Sequence, residues 1–249
     1  MIILFFFTSL LIILSTVGYG FFVIRLLKFK NFDYNYGLVG VLGLFALSII
    51  AGLTHLFLSH NFIHNSIILI IFLIAFIFFN KKKFKEIDYL FIIFLLLFIS
   101  ILMSKTNEDF GYYHLPNSLQ FAQQKLQFGL GNLNHGFKHV SSLFMIMSLH
   151  YLPVINYYLF NLTNFLFLIF FIIFILNEIY LKKNKNLNLS KILLSLLLIL
   201  FLTKFSRLAE FGADISGQII LSIYFFYFLE FFYNNKIDLK KRIEYLKLS

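Results

Sequence analysis

The chain has 249 residues, of which 60% are hydrophobic and only 13% charged, with a formal net charge of +10. A water-soluble fold of this length keeps a polar shell that this composition cannot furnish, so lipid must solvate most of the chain. The absence of cysteine excludes disulfides, thiolate nucleophiles and cysteine–zinc sites.

The first apolar run, about residues 2–24, has no basic leader and no small-x-small cleavage site, and it outruns a typical signal core. It therefore reads as a membrane span, not a signal peptide. Crossing about 30 Å of hydrocarbon takes roughly 20 helical residues. Further runs of that character lie at about 37–58, 62–79, 88–103, 156–180, 189–205 and 215–233. The expected fold class is all-α: a polytopic transmembrane helix bundle of about seven spans, one membrane domain over residues 1–249. In the second run Gly37, Gly40, Gly43 and Ala46 recur every three positions, which suits close helix packing. In the sixth, Lys191 and Lys204 must snorkel from the ends.

Basic residues orient the spans. The segments after runs one, three, five and seven carry Arg25, Lys28 and Lys30; Lys81, Lys82, Lys83 and Lys85; Lys182, Lys183, Lys185 and Lys191; and Lys236, Lys240, Lys241, Arg242 and Lys247. The opposite side holds Lys105, Lys125, Lys138, Lys204 and Arg207. By the positive-inside rule the amino terminus is outside and the carboxyl terminus cytoplasmic, in an inner (cytoplasmic) membrane. The positive charge then marks cytoplasmic loops beside anionic lipid, and no nucleic-acid partner is expected. All seven histidines (His55, His60, His64, His114, His135, His139 and His150) fall on the opposite, outer side.

The stretch 104–153 is the one long segment that is not an obvious span. Pro116 is placed to lead a helix over 117–128, where Leu119, Ala122 and Leu126 recur at helical spacing among Gln120, Gln123 and Gln124. Gly129 and Gly131 break it, and a second helix is expected over 141–152, too short to cross and ended by Pro153. The first is expected at the outer interface, and the second either there or dipping in and returning. The Asn161-Leu-Thr163 and Asn188-Leu-Ser190 sequons lie in a span and on the cytoplasmic side, where chance matches are the better explanation. The end at Ile243–Ser249, just past a basic stretch, is compatible with the chain being the front part of a longer protein.

Three stretches carry candidate chemistry. The first is Asn107-Glu-Asp-Phe-Gly-Tyr-Tyr-His-Leu-Pro116, where Glu108 and Asp109 border lipid yet can touch water. That setting suits a general base, with His114 a further catalytic candidate; the same acids also serve to solvate a loop or cap the next helix. The second is Gly129-Leu-Gly-Asn-Leu-Asn-His-Gly-Phe-Lys138. Its glycines permit close backbone approach, and Asn132, Asn134, His135 and Lys138 offer donors suited to a sugar or phosphate, or simply form a turn. The third spans Lys204 to Gln218: Arg207 suits a phosphate clamp, and Glu210 and Asp214 share a helical face, although Arg207 can equally pair with Glu210. His135 and His139 have i,i+4 spacing, but Gly136 and the missing Glu of a zinc-protease motif argue against a divalent metal, and no cofactor is expected.

The stretches Asp109-Phe-Gly-Tyr-Tyr-His114-Leu and Gly129-Leu-Gly-Asn-Leu133 resemble the first large outer loop of GT-C-type membrane glycosyltransferases. The resemblance is closer to an uncharacterised bacterial group of GT-C-like architecture, which carries Asp-x-Gly-x-Tyr-His-Leu followed by Gly-Leu-Gly-Asn-Leu. It covers about 30 residues closely and extends loosely through 210–218. It implies transfer of sugar from a polyprenyl-phosphate carrier to a cell-envelope acceptor, with Asp109 as base and Arg207 or Lys138 on the lipid phosphate. The chain departs from the usual pattern in placing four spans before the acidic loop. Two other readings remain open: a transporter or flippase of an envelope lipid or solute, and a non-catalytic assembly partner. A site at a lateral groove separates the enzyme from a carrier, whose ionisable groups line a central path.

Overall fold

The computed structural model describes residues 1–28, 35–80, 84–103, 108–139, 141–181, 189–203 and 214–233. In chain order the α-helices are α1 (Ile2–Leu26), α2 (Tyr36–His55), α3 (Phe62–Phe79), α4 (Phe84–Leu102), α5 (Leu115–Gln123), α6 (Leu130–Leu133), α7 (Ser142–Leu149), α8 (Leu162–Leu176), α9 (Leu189–Thr203) and α10 (Asp214–Tyr233). π-helical turns occupy Phe110–His114 and Asn177–Leu181, and 3₁₀ turns His135–Lys138 and Tyr157–Leu159. Among the described residues there is no strand, only one isolated bridge between Leu152 and Asn156.

Five helical stretches are long and apolar enough to cross a membrane: α1, α2, α3, Tyr157–Ile179 and Asp214–Phe232. The runs expected as fourth and sixth spans appear as the shorter apolar helices Ile87–Leu102 and Leu189–Thr203. This is the architecture of a multi-pass helical membrane protein.

Local chemistry starts the helices. Asn35 accepts from the Gly37 amide at 2.9 Å, Asn61 from that of His64 at 3.0 Å, and Ser141 from that of Leu143 at 3.2 Å, capping α2, α3 and α7. The glycine stripe of α2 then decides its packing. A Cβ on Gly43 would overlap the Thr16 carbonyl of α1, and one on Gly37 the Phe170 carbonyl of α8. α2 is thus wedged backbone-to-backbone between its neighbours, as the three-residue spacing predicts. α8 is the axis: it touches α2, α4, α7, α9 and α10, and the stretch containing it is 89% buried. α3 is the contrast, with only 11% of its span buried and Ile63, Ile67, Ile70 and Ile74 exposed. Such an apolar wall is stable only in an apolar solvent.

Hydrogen bonds sort the ends of the helices into two groups. At one end, Tyr36 bonds Asn80, Arg25 lies 4.1 Å over the Phe79 ring, Asn35 reaches the Phe174 carbonyl, and Ser190 bonds Glu230. At the other, the His60 amide donates to the Phe121 carbonyl at 2.9 Å, Thr163 meets His150 and Ser216 donates to Asn164 at 3.0 Å. α4 leaves the first end after Asn80 and delivers the chain to the second, a path that its 19 residues, about 28 Å of helix, can cover.

Both helices of the long segment are shorter than their pattern suggests. The first helix runs Leu115–Gln123, not 117–128, with Pro116 in its first turn. The second is Ser142–Leu149 and ends before Pro153. α7 does not rest on a surface: Leu143, Phe144, Ile146, Met147, Ser148 and Leu149 are buried where it packs on α2, α5 and α8. Gly129, at φ +84°, both breaks the chain and opens the single turn of α6.

Candidate functional site

The Asp109–Leu115 stretch is a π-turn running straight into α5. A π-turn carries one extra residue into the helix, widening it and re-aiming the side chains that follow. Here it buries His114 (5% exposed) while Glu108, Asp109 and Tyr112 stay exposed and Tyr113 is half-buried. The His114 ring packs 4.3 Å from that of Tyr113 and 5.3 Å from that of Phe144 on α7.

The second glycine-rich stretch folds against this turn. Gly136 fits because it has no side chain: a Cβ there would come within 2.6 Å of the Tyr113 Cβ. Asn134 accepts from the Gly136 amide at 2.9 Å, and Asn117 of α5 donates to the Gly136 carbonyl at 3.4 Å. The 3₁₀ turn sets His139 5.5 Å from Tyr113 and 5.3 Å from His135. The Lys138 stem lies over Gly131, and Lys138, Asn132 and His135 are exposed. The two stretches that the sequence offers as separate candidates therefore form one surface.

Asp214, the first residue of α10, comes to the same place. Burial pushes the Tyr113 phenol above its ordinary value, and the Asp109 and Asp214 carboxylates add to that push. A phenolate there would face two negative charges, which favours the neutral hydroxyl. Both carboxylates are exposed, and Asp214 is held from below by the Ser216–Asn164 bond between α10 and α8. Arg207 and Glu210 lie outside the described residues. Among the described residues no group of three or more His, Asp or Glu is placed to hold a metal ion. The site can offer a carboxylate to a hydroxyl, amide and imidazole donors to a polyol, and one lysine to an anion.

A buried network beneath the site was not legible as such in the sequence. His55, His60 and His150 are buried, at 3%, 0% and 3% exposed. His60 is sandwiched between His55 (5.2 Å) and His64 (5.0 Å, stacked), and its ring nitrogens meet Ser148 Oγ at 2.6 Å and Thr54 Oγ1 at 3.2 Å. Asn65 Nδ2 donates to the carbonyls of His60, Ser148 and Tyr151 at 2.7–2.9 Å, and its Oδ1 accepts from His64 Nδ1 at 3.0 Å. Burial lowers both His60 and His150 to about 3, so each ring is neutral at physiological pH. Ser148 and Thr54 also donate to the Met145 and Ile50 carbonyls, at 2.7 and 2.8 Å. The signal that could have found this network is Asn65, a lone amide inside an apolar run, one turn from a histidine-rich bend. Thr163 of the first sequon is spent on His150, at 2.9 Å, and Asn161 is buried, so that motif is not a glycosylation acceptor.

No curated protein and no solved structure matches the chain. A family described as a domain of unknown function (DUF8201) matches residues 1–248. The chain belongs to that family.

Proposed function

We propose that this chain is a membrane glycosyltransferase-like protein that moves a sugar from a polyprenyl-phosphate carrier to a cell-envelope acceptor. The single observation behind this reading is that Gly136 seats the Gly129–Lys138 stretch on Tyr113, so that the exposed Asp109 shares one surface with the exposed Asn132, His135 and Lys138. In the proposal α4 and α9 also cross the bilayer, giving seven spans in a GT-C-like arrangement. The histidine-bearing end faces outward from the cytoplasmic membrane, the amino terminus is outside, and the carboxyl terminus is cytoplasmic.

Asp109, with Glu108 beside it, takes the proton of an acceptor hydroxyl. The hydroxyl oxygen bonds to the anomeric carbon, and the bond from that carbon to the phosphate oxygen breaks, its electron pair leaving with the lipid phosphate. Lys138 and Arg207 meet the charge that builds on that phosphate. Asn132 and His135 hydrogen-bond sugar hydroxyls, and Asp214 with Glu210 holds the acceptor. His114 is a positioning residue: buried between Tyr113 and Phe144, it fixes the turn that presents Asp109.

A carrier reading draws on the buried Glu178 and Glu230. Both sit at the far end of the bundle, at Asn35 and Ser190, and not along a central path. A non-catalytic partner would leave its polar groups scattered, whereas here they converge. The test is sugar transfer from a polyprenyl-phosphate donor in membranes carrying the protein. Asp109→Asn should lower the rate by about 10²–10⁴-fold, the usual share of a general base. An unchanged rate in a folded Asp109→Asn protein overturns the assignment.

A further inference from the structure

The two most exposed large apolar side chains among the described residues are not on the outer walls of the spans. They are Phe128, 91% exposed, and Leu133, 83% exposed, and they bracket the single turn of α6. By comparison, α3, the barest of the long helices, reaches 73% at Ile63 and Ile77. Exposure of this degree in water is unfavourable for a phenyl ring and an isobutyl group held in place.

They are held in place. The Gln120 amide donates to Gln124 Oε1 at 2.8 Å and to Gln127 Oε1 at 3.2 Å, tying the connection back onto the last turn of α5. Gly129 then reverses the chain at φ +84°, and the Asn132 amide closes the turn on the Gly129 carbonyl at 2.9 Å. The loop is ordered by its own hydrogen bonds, and those bonds present the two apolar side chains outward. Along the segment itself the charge has one sign. Residues 110–153 contain no aspartate or glutamate, while Lys125 and Lys138 are both exposed on either side of the pair.

We propose that the 124–138 loop docks into the headgroup layer of an anionic lipid leaflet, with Phe128 and Leu133 entering the acyl boundary and Lys125 and Lys138 meeting lipid phosphates. Apolar residues on a basic face are the recognition chemistry of an anionic membrane surface. The loop is continuous with the Gly129–Lys138 face of the site, so a lipid held there brings its phosphate to the same lysine. The inference needs only that the bundle lies in a bilayer; it stands whether or not Asp109 is a base.

The chain has no tryptophan, so Phe128→Trp and Leu133→Trp each give a single reporter in the full-length protein. Each variant is reconstituted at one copy per nanodisc, in phosphatidylcholine with or without phosphatidylglycerol. The expected result is blue-shifted emission, quenched by lipid brominated near the top of its acyl chains and protected from aqueous acrylamide. The quenching should be stronger with phosphatidylglycerol, and the Lys125→Ala/Lys138→Ala background should lose that difference. Water-like emission that acrylamide quenches and brominated lipid does not would overturn the proposal. Blue-shifted emission that appears only at two copies per disc would overturn it as well, by assigning the face to a second copy of the chain. Equal quenching in both lipids would remove the anionic headgroup.

Discussion

The two ends of the bundle handle polar groups in opposite ways. At the end opposite the histidines, Glu178 and Glu230 are buried, and each is tied to the start of a helix: Asn35 caps α2 and donates to Glu178, and Ser190 opens α9 and bonds Glu230. Those acids fasten helix ends together. At the histidine end the burial is reversed. The imidazoles of His60 and His150 are inside, clamped by Ser148, Thr54 and Thr163, while Asp109 and Asp214 stand exposed. A buried carboxylate bonded at a helix end is out of a substrate's reach, whereas an exposed one is within it. The difference is one of burial: the acids are inside at one end and exposed at the other.

The largest effect expected from this contrast is a dissociation of activity from stability. Asp109→Asn should abolish transfer while leaving thermal unfolding in detergent unchanged, and Glu178→Leu should lower the unfolding temperature while the folded fraction keeps its specific rate. Loss of stability in the Asp109 variant would break the comparison.

Next comes pH. The folded protein holds His60 and His150 neutral down to about 3, whereas an unfolded chain takes up those protons near 6.5. Across that window the unfolded state binds more protons, so stability falls as pH falls, by up to about 1.4 kcal/mol per pH unit for each ring. Unfolding temperatures measured between pH 7 and 4.5 should drop steadily, and the double variant His60→Gln/His150→Gln should flatten the slope. An undiminished slope in that variant would place the acid sensitivity elsewhere.

Smaller again is His60→Ala, which strips the Ser148 and Thr54 hydroxyls of their shared partner and should cost about 1–3 kcal/mol, read by denaturant unfolding. At the opposite end, Asn35→Ala removes one helix cap and should cost about 0.5–2 kcal/mol without altering the pH profile. A pH-sensitive Asn35 variant would mean that the two ends are not independent.

Much of this was legible in the sequence because it is local. Hydropathy over 20 residues finds α1, α2, α3 and α10, and the glycine spacing of α2 announces backbone contact before any neighbour is known. Alternating basic segments also predict the grouping of histidines at one end, which the hydrogen bonds of His60, Asn65 and Thr163 bear out. The helix at 141–152 was harder. Its length excludes a span, but nothing in an apolar dozen residues distinguishes resting on lipid from insertion between α2, α5 and α8. Likewise Gln124, an ordinary helix former, ends α5 because the glutamine ladder turns the chain there.

The amino acids in order determined that this protein is a helical membrane bundle and which polar residues share an end, since water-to-lipid transfer acts on each segment where it stands. Only the tertiary structure decided that α8 is the axis, that Gly136 seats the second stretch on Tyr113, and that Asp214 and Asp109 both bear on Tyr113. Those pairings join residues far apart in the chain, and their geometry follows from how helices pack, which no local pattern encodes.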